Sequence, residues 1–339
     1  MFDNLLGQML EETAEAPSFN LFGMVDINPV SGQIKKRIIA SPNLSMRTVH
    51  KKIIEFIDKN WLHDGLLAGA ADRRRSTFDN ASQHTRNRYF YQTDLSSAYD
   101  SVQLDLLAKV FVAGCLRNDD LFGGRKAKYD IDDVKSLLER YCFKPDGKGL
   151  IIGANSSPIL FNMYASEFID KPILSLWPPY VGDNAGEFKS LHKCYTRYFD
   201  DLTFSSQSPI SSEMRKKIRA IIENAGFRVN HRKSSVSDIT KRPVVITGVG
   251  LAYNPHGRAR FFLPRHYLSR IKGMLLLAIR NDPRISRSQI EGMMGTYWSV
   301  FGNKKRVSKY YMHGLNSTEN KILNLYSEFR SKFIGKMRQ

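Results

Sequence analysis

Cys194-Tyr195-Thr196-Arg197-Tyr198-Phe199-Asp200-Asp201-Leu202-Thr203-Phe204 is a run of aromatic and β-branched residues interrupted once, by two adjacent aspartates. Such residues favour extended backbone, and Asp is favoured where a chain reverses. The pattern therefore predicts a β-hairpin with Asp200 and Asp201 where the tight turn falls. Adjacent carboxylates repel, so something must compensate them. Two divalent cations held for phosphoryl chemistry would do so; an ordinary polar hairpin tip would read the same. The choice depends on whether a third carboxylate and a phosphate-binding apparatus lie elsewhere.

The chain has 339 residues, 42% of them hydrophobic, enough for the core of one large domain or two smaller ones. With 51 Lys and Arg against 33 Asp and Glu the net charge is +18, which makes a polyanion the natural partner. From Arg265 onward there are 15 basic and 4 acidic residues, or 15 − 4 = +11, so the last quarter carries more than half of the excess. The 15 Tyr and 20 Phe exceed what basic ribosomal or chromatin proteins usually hold, and can supply both core packing and base stacking. Cys115, Cys142 and Cys194 are too widely spaced for a disulfide framework or a zinc site. The start, Met1-Phe2-Asp3-Asn4, lacks the pattern of an export signal, and no apolar stretch reaches bilayer length. A reducing cytoplasm and no membrane partner are the expectation.

Along the chain, residues 1 to about 30 are acidic and mixed, read as a short helix and an irregular lead-in. Apolar residues recur at helical spacing from Ser45 to Trp61. Arg88 to Thr93 reads as a strand, and Val102–Leu116, Asp130–Tyr141, Pro158–Ile169 and Ser211–Ala225 as helices. Short strands follow at Val244–Ile246 and Phe261–Phe262, then a basic, mostly helical bundle from Pro264. Around a central hairpin this order predicts an α+β fold, a split βαβ sheet with helices on one face. Such a sheet can bring the end of the strand before Asp94 next to the Asp200 hairpin.

Asp94 closes the apolar stretch Tyr89-Phe90-Tyr91-Gln92-Thr93, where it can serve as a helix N-cap or as a metal ligand. Gly153-Ala154-Asn155-Ser156-Ser157-Pro158 is a small-residue loop opening onto a helix, suited to close backbone approach but not a P-loop. Asp94 with Tyr99 five residues on, the Gly153–Asn162 loop and Tyr198-Phe199-Asp200-Asp201 resemble, in order, motifs A, B and C of reverse transcriptases. Gly226-Phe227-Arg228-Val229-Asn230 followed by Lys233 resembles the next motif. Asn80-Ala81-Ser82-Gln83-His84 and Ile246-Thr247-Gly248 resemble two segments characteristic of bacterial retron reverse transcriptases. One departure stands out: the family usually opens its B loop with Leu-Pro-Gln-Gly, and this chain has Leu150-Ile151-Ile152-Gly153.

The resemblance implies a right-hand polymerase, with fingers, a ferredoxin-like palm and a mostly helical thumb. Fingers and palm would span residues 1–262, with the palm core from about 88, and a basic thumb 263–339. It implies an RNA-directed DNA polymerase using two Mg2+ ions, with Mn2+ as a substitute. Asp94, Asp200 and Asp201 would be both metal-binding and catalytic, Asp201 more peripherally, with Leu95 among the metal ligands. Lys233 would protonate the leaving group or attract phosphate. Tyr99, Arg75, Gly153 and Ser157 would contact the incoming dNTP, with Tyr99 excluding a 2′-hydroxyl. Lys35, Arg37, Asn80, His84, Arg265, Lys304, Lys305 and Arg306 would contact nucleic acid. The implied partners are a structured non-coding RNA serving as template and primer, the RNA–DNA hybrid, dNTPs and an effector protein, in the bacterial cytoplasm and in anti-phage defence. The alternatives are a defence-associated reverse transcriptase outside the retrons and a catalytically silent RNA-binding scaffold.

Overall fold

The computed structural model describes residues 15–27, 34–61, 76–116, 131–178, 193–256, 259–301 and 316–336. Arg75, with Arg73 and Arg74, and the run Lys304, Lys305 and Arg306 lie outside the described residues.

The main sheet has β3 (Tyr89–Ser96) at its centre, β5 (Asp201–Ser206) on one side and β4 (Lys193–Tyr198) beyond it. On the other flank of β3, β6 (Arg228–Val229) pairs with its end and β7 (Ser235–Asp238) with its beginning. All these pairings are antiparallel, and the order β4-β5-β3-β6 is that of a split βαβ sheet. The helix face of the sheet carries Tyr91, Leu95, Tyr195, Leu202 and Phe204. Against it pack α1 (Leu44–Asn60), α3 (Leu104–Leu116), α4 (Ile131–Tyr141), α5 (Ser157–Ala165) and α7 (Ser212–Asn224). The short α2 (Thr77–Ser82) precedes β3, and a wide π-type turn, Ser166–Asp170, joins α5 to α6 (Lys171–Leu176).

A second apolar cluster joins Ala81 and Phe90 to a small sheet of β8 (Val244–Ile246), β9 (Val249–Ala252) and β10 (Arg260–Phe262). It continues into the helices α8 (Arg265–Ile279), α9 (Arg287–Phe301) and α10 (Ser317–Lys336) through Leu275, Met294, Tyr297 and Phe329. Among the described residues no helix is long and apolar enough to cross a membrane.

The expected lead-in is corrected. Residues up to 14 are outside the described part, but β1 (Phe19–Ile27) and β2 (Ile34–Pro42) form a two-stranded antiparallel ribbon. Nine consecutive residues on each side pair, from Phe19 with Pro42 to Ile27 with Ile34. Apolar residues at every second position, Phe19, Leu21, Val25 and Ile27, are the strand period that a helical reading overlooks. Lys35 and Arg37 lie on β2; only their backbone is described.

Candidate active site

Register places the acidic residues. On β3 and β5, Thr93 opposes Leu202 and Asp94 opposes Asp201. Residues directly opposite share one face with Cβ atoms roughly 5 Å apart. Asp94 and Asp201 therefore face each other on the side away from the helices. The β4–β5 turn holds two residues, Phe199 and Asp200, between the pair Tyr198 and Asp201. Asp200 alone is in the turn, and Asp201 opens β5. Phe199 has φ of 53°, a backbone region that two-residue hairpins commonly give to Gly or Asn. The Asp200 carbonyl accepts from the Leu95 amide at 2.9 Å, tying the turn to the central strand.

These carboxylates crowd. Burial, then the charges of Asp200 and Asp94, push the Asp201 carboxyl up to about 6. Asp94 is relieved by Lys233, whose Nζ donates to Oδ1 at 2.8 Å, and by Asn230, whose Nδ2 donates to Oδ2 at 3.3 Å. Burial pulls the Lys233 ammonium down, but Asp94, with Asp201 and Asp200, outweighs this and leaves it above its ordinary value. Among the described residues no three His, Cys, Asp or Glu side chains are grouped closely enough to hold a metal ion by themselves. The donor set nevertheless fits divalent cations: hard oxygen ligands, like charges held face to face, and a cationic group already drawn onto one of them. In the structure Asp201 opposes Asp94 across the β3–β5 pair.

The Asp201 effect has a testable sign. Its folded value of about 6 lies above the ordinary 3.8, so its stabilising contribution is full below the ordinary value and is lost as pH rises through 6. Asp201→Asn should therefore raise Tm at pH 7.5 in the absence of divalent metal, with the gain fading toward pH 4. An equal gain at both pH values in a thermal melt would contradict the crowding.

Tyr99 sits beside this cluster, its ring 5.4 Å from that of Phe161. Burial first, then the Asp200 charge, push its hydroxyl up to about 12, against the opposing pull of Arg197. Its backbone is fixed by the loop after α4, where the Leu150 amide donates to the Tyr99 carbonyl at 2.9 Å. Gly149, at φ 78°, makes that approach possible, since a Cβ there would lie 2.3 Å from the same carbonyl oxygen. Gly149→Ala should destabilise the protein by more than about 1 kcal/mol in chemical denaturation; unchanged stability would mean that the loop does not seat Tyr99.

The unusual Ile151 and Ile152 have a structural use. Ile151 packs with Ala40, Ala154 and Phe19, and the Ile152 carbonyl accepts from the Ala40 amide at 2.8 Å. Gly153, at φ 104°, presses on β2, where a Cβ would lie 2.3 Å from the Ala40 carbonyl oxygen. Ser157 is 1% exposed and donates to the Ile151 carbonyl at 2.7 Å, so its hydroxyl holds the loop.

Asn80 and His84 also differ from expectation. They are 1% and 0% exposed, so neither side chain presents a surface to nucleic acid. His84 bridges Thr196 of β4 and Ser205 of β5, each hydroxyl 2.7 Å from a ring nitrogen, and burial pulls its imidazole down to about 3. Asn80 donates to Thr247 Oγ1 at 3.2 Å. Asn80 in α2 thus holds the β8–β9 turn, and His84 just after α2 holds the β4–β5 hairpin. That turn, with Val245, Thr247 and Gly248, borders a cavity of about 320 Å³ lined opposite by Gln92, Asp94, Asp201, Thr203 and Lys233. On the helix face, the buried Arg197 pairs with Asp170 behind the hairpin.

A carboxylate pair at the end of a central split-βαβ strand and a third aspartate in the turn beside it, with an aromatic near that turn, supply oxygen donors of the kind that cations for phosphoryl transfer require. The family model described as reverse transcriptase (RNA-dependent DNA polymerase) matches residues 29–251. The chain belongs to the reverse transcriptase family. Its α+β architecture is that family's right-hand polymerase fold, with the main sheet as the palm. Among curated reverse transcriptases, retron Ec83 reverse transcriptase of Escherichia coli is 30% identical over 178 residues, 50% of this chain and 48% of that one. Retron Ec48 reverse transcriptase of Escherichia coli is 22% identical, covering 84% of this chain and 66% of that one. Retron Mx162 reverse transcriptase of Myxococcus xanthus is 25% identical, covering 77% and 53%. The matches span about half to two thirds of these relatives' length. A solved telomerase from Candida albicans, in complex with a fragment of telomeric RNA, superposes with a TM-score of 0.44 at 11% identity, covering 100% of this chain and 65% of that one.

Sequence reasoning missed Arg197, Asp170 and Asn162 in this reverse transcriptase. For Arg197 the available signal is its phase: it shares the side of β4 with Tyr195, which packs in the main core. Arg265 opens α8, where it is exposed to solvent.

Proposed function

We propose that the chain is an RNA-directed DNA polymerase of the retron type, making single-stranded DNA from a bound structured RNA. The observation that carries this reading is the register pairing of Asp94 with Asp201, with Asp200 in the adjoining turn. Asp94, Asp200 and Asp201, with the Leu95 carbonyl, would hold two Mg2+ ions, or Mn2+. When bound, those ions would lower the pKa of the priming hydroxyl and offset charge on the triphosphate. The chain's own groups do the rest. Lys233 gives up its contact with Asp94 and offers its ammonium to phosphate. Tyr99, fixed through its carbonyl, stands where a 2′-hydroxyl would have to fit. The cavity between Asp94 and the Thr247–Gly248 turn has room for the nucleoside that supplies the attacking hydroxyl, an RNA 2′-hydroxyl at initiation or a primer 3′-hydroxyl afterward.

Residues 1–262 would then be fingers and palm, and the basic region from 263 the thumb, with Arg265 toward the backbone of an RNA–DNA hybrid. Work in a bacterial cytoplasm, an effector protein and a part in anti-phage defence belong to the same reading, carried by likeness to the retron enzymes.

Nucleic acid recovered with the protein expressed beside its neighbouring genomic region tests the retron type. The expected result is a single RNA species joined covalently to DNA through a branch that resists RNase until debranched. DNA without RNA attached at its 5′ end would overturn the retron type while leaving the polymerase.

A further inference from the structure

Arg197 is the largest fully buried side chain among the described residues, 1% exposed. Its Nε donates to both Asp170 oxygens at 2.9 and 3.1 Å, and its Nη2 to Asp170 Oδ2 at 2.7 Å and Asn162 Oδ1 at 2.6 Å. Asp170, itself 0% exposed, also accepts from the Tyr195 hydroxyl at 2.7 Å. Stability alone is a poor reason for such a network, because a buried ion pair replaced by apolar residues of similar volume commonly leaves a protein as stable or more so. The remaining donor leaves the ion pair. Arg197 Nη1 reaches 3.2 Å to the carbonyl of Phe199.

That carbonyl belongs to the residue held at φ 53°, and its peptide leads directly into Asp200. A side chain in this region costs roughly 1–2 kcal/mol and tends to relax unless neighbours hold it. The same guanidinium lies over the Phe161 ring, 5.5 Å from its centroid, and Tyr99 packs on that ring. We propose that Arg197, oriented by Asp170 and Asn162, is a positioning residue that fixes the Phe199–Asp200 peptide and so aims the Asp200 carboxylate for cation binding. Arg197 touches neither substrate nor metal. The inference rests on the reading that Asp200 is a metal ligand.

Two variants separate positioning from packing. Asp170→Leu combined with Arg197→Met removes the charged pair while keeping the interior filled. Arg197→Lys keeps a cation beside Asp170, but one ammonium cannot span both the carboxylate and the Phe199 carbonyl. Mn2+ is titrated into each protein bound to a dideoxy-terminated primer on an RNA template with dNTP, and free Mn2+ is read by electron paramagnetic resonance. Removing a group that orients a metal ligand typically costs about 10–100-fold in metal affinity. Both variants should therefore bind Mn2+ at least about tenfold more weakly while melting cooperatively. Wild-type Mn2+ affinity in either folded variant would overturn the proposal, and Arg197→Lys carries the test alone if the double variant does not fold. Asp200→Asn serves as the reference. If it binds Mn2+ like the wild type, the metal assignment fails and the positioning role with it; if it binds weakly while the Arg197 variants bind normally, only the positioning role fails.

Discussion

Asp94→Asn should abolish DNA synthesis while leaving the protein folded. The side chain is nearly isosteric, and its amide keeps a carbonyl oxygen to accept from Lys233 or Asn230, which now hold the carboxylate at 2.8 and 3.3 Å. Removing the charge also relieves the repulsion across the β3–β5 pair, one of the causes that push Asp201 up to about 6. Stability should therefore hold or rise, and the Asp201 carboxyl should move back toward its ordinary range. Catalysis depends on the charge itself. Losing one carboxylate from a two-cation site should lower the turnover rate by at least about 10³-fold, equivalent to roughly 4 kcal/mol of transition-state stabilisation. Rate and melting temperature measured on the same preparation check both halves. Substantial residual activity would mean that Asp94 serves the fold through Lys233 and Asn230 and does not hold the catalytic cations.

Asp170→Ala should be the most destabilising single change on the helix face. Asp170 and Arg197 are both inaccessible, and removal of one strands the other in the core without a counter-ion. Breaking a buried pair in this way typically costs about 3–5 kcal/mol, far more than loss of an exposed pair such as Lys51–Glu55. Urea unfolding should show a large drop in midpoint with the slope retained. A loss below about 1 kcal/mol, the scale of an exposed pair, would mean that solvent reaches the site on opening. The paired replacement with Leu and Met should recover most of the stability, because it leaves no orphaned charge.

Much of this site is legible in the chain because the signals are local. The alternation around Asp200 and the apolar run before Asp94 each predict a strand, and a split βαβ topology brings the two together. The helical spacing of Val49, Ile53 and Ile57 likewise marks α1, whose buried residues include all three. Missed features depend on partners far along the chain. Arg197 finds Asp170 27 residues away, and His84 finds Ser205 121 residues away; no periodicity records such pairings. Asn80 and His84 look like surface chemistry in a sequence because buried polar residues carry no mark of the distant hydroxyls they contact. The β1–β2 ribbon was obscured differently. It alternates properly but leaves Leu21, Val25 and Ile38 exposed, so its apolar pattern does not map onto a core.

The most direct test of the central claim is extension of a DNA primer annealed to an RNA template, with dNTPs and Mg2+, by the wild-type chain and by Asp200→Asn. The account predicts template-directed extension by the wild type and none by Asp200→Asn, at equal thermal stability. Failure of the wild type to extend, or equal extension by the two proteins, would contradict it.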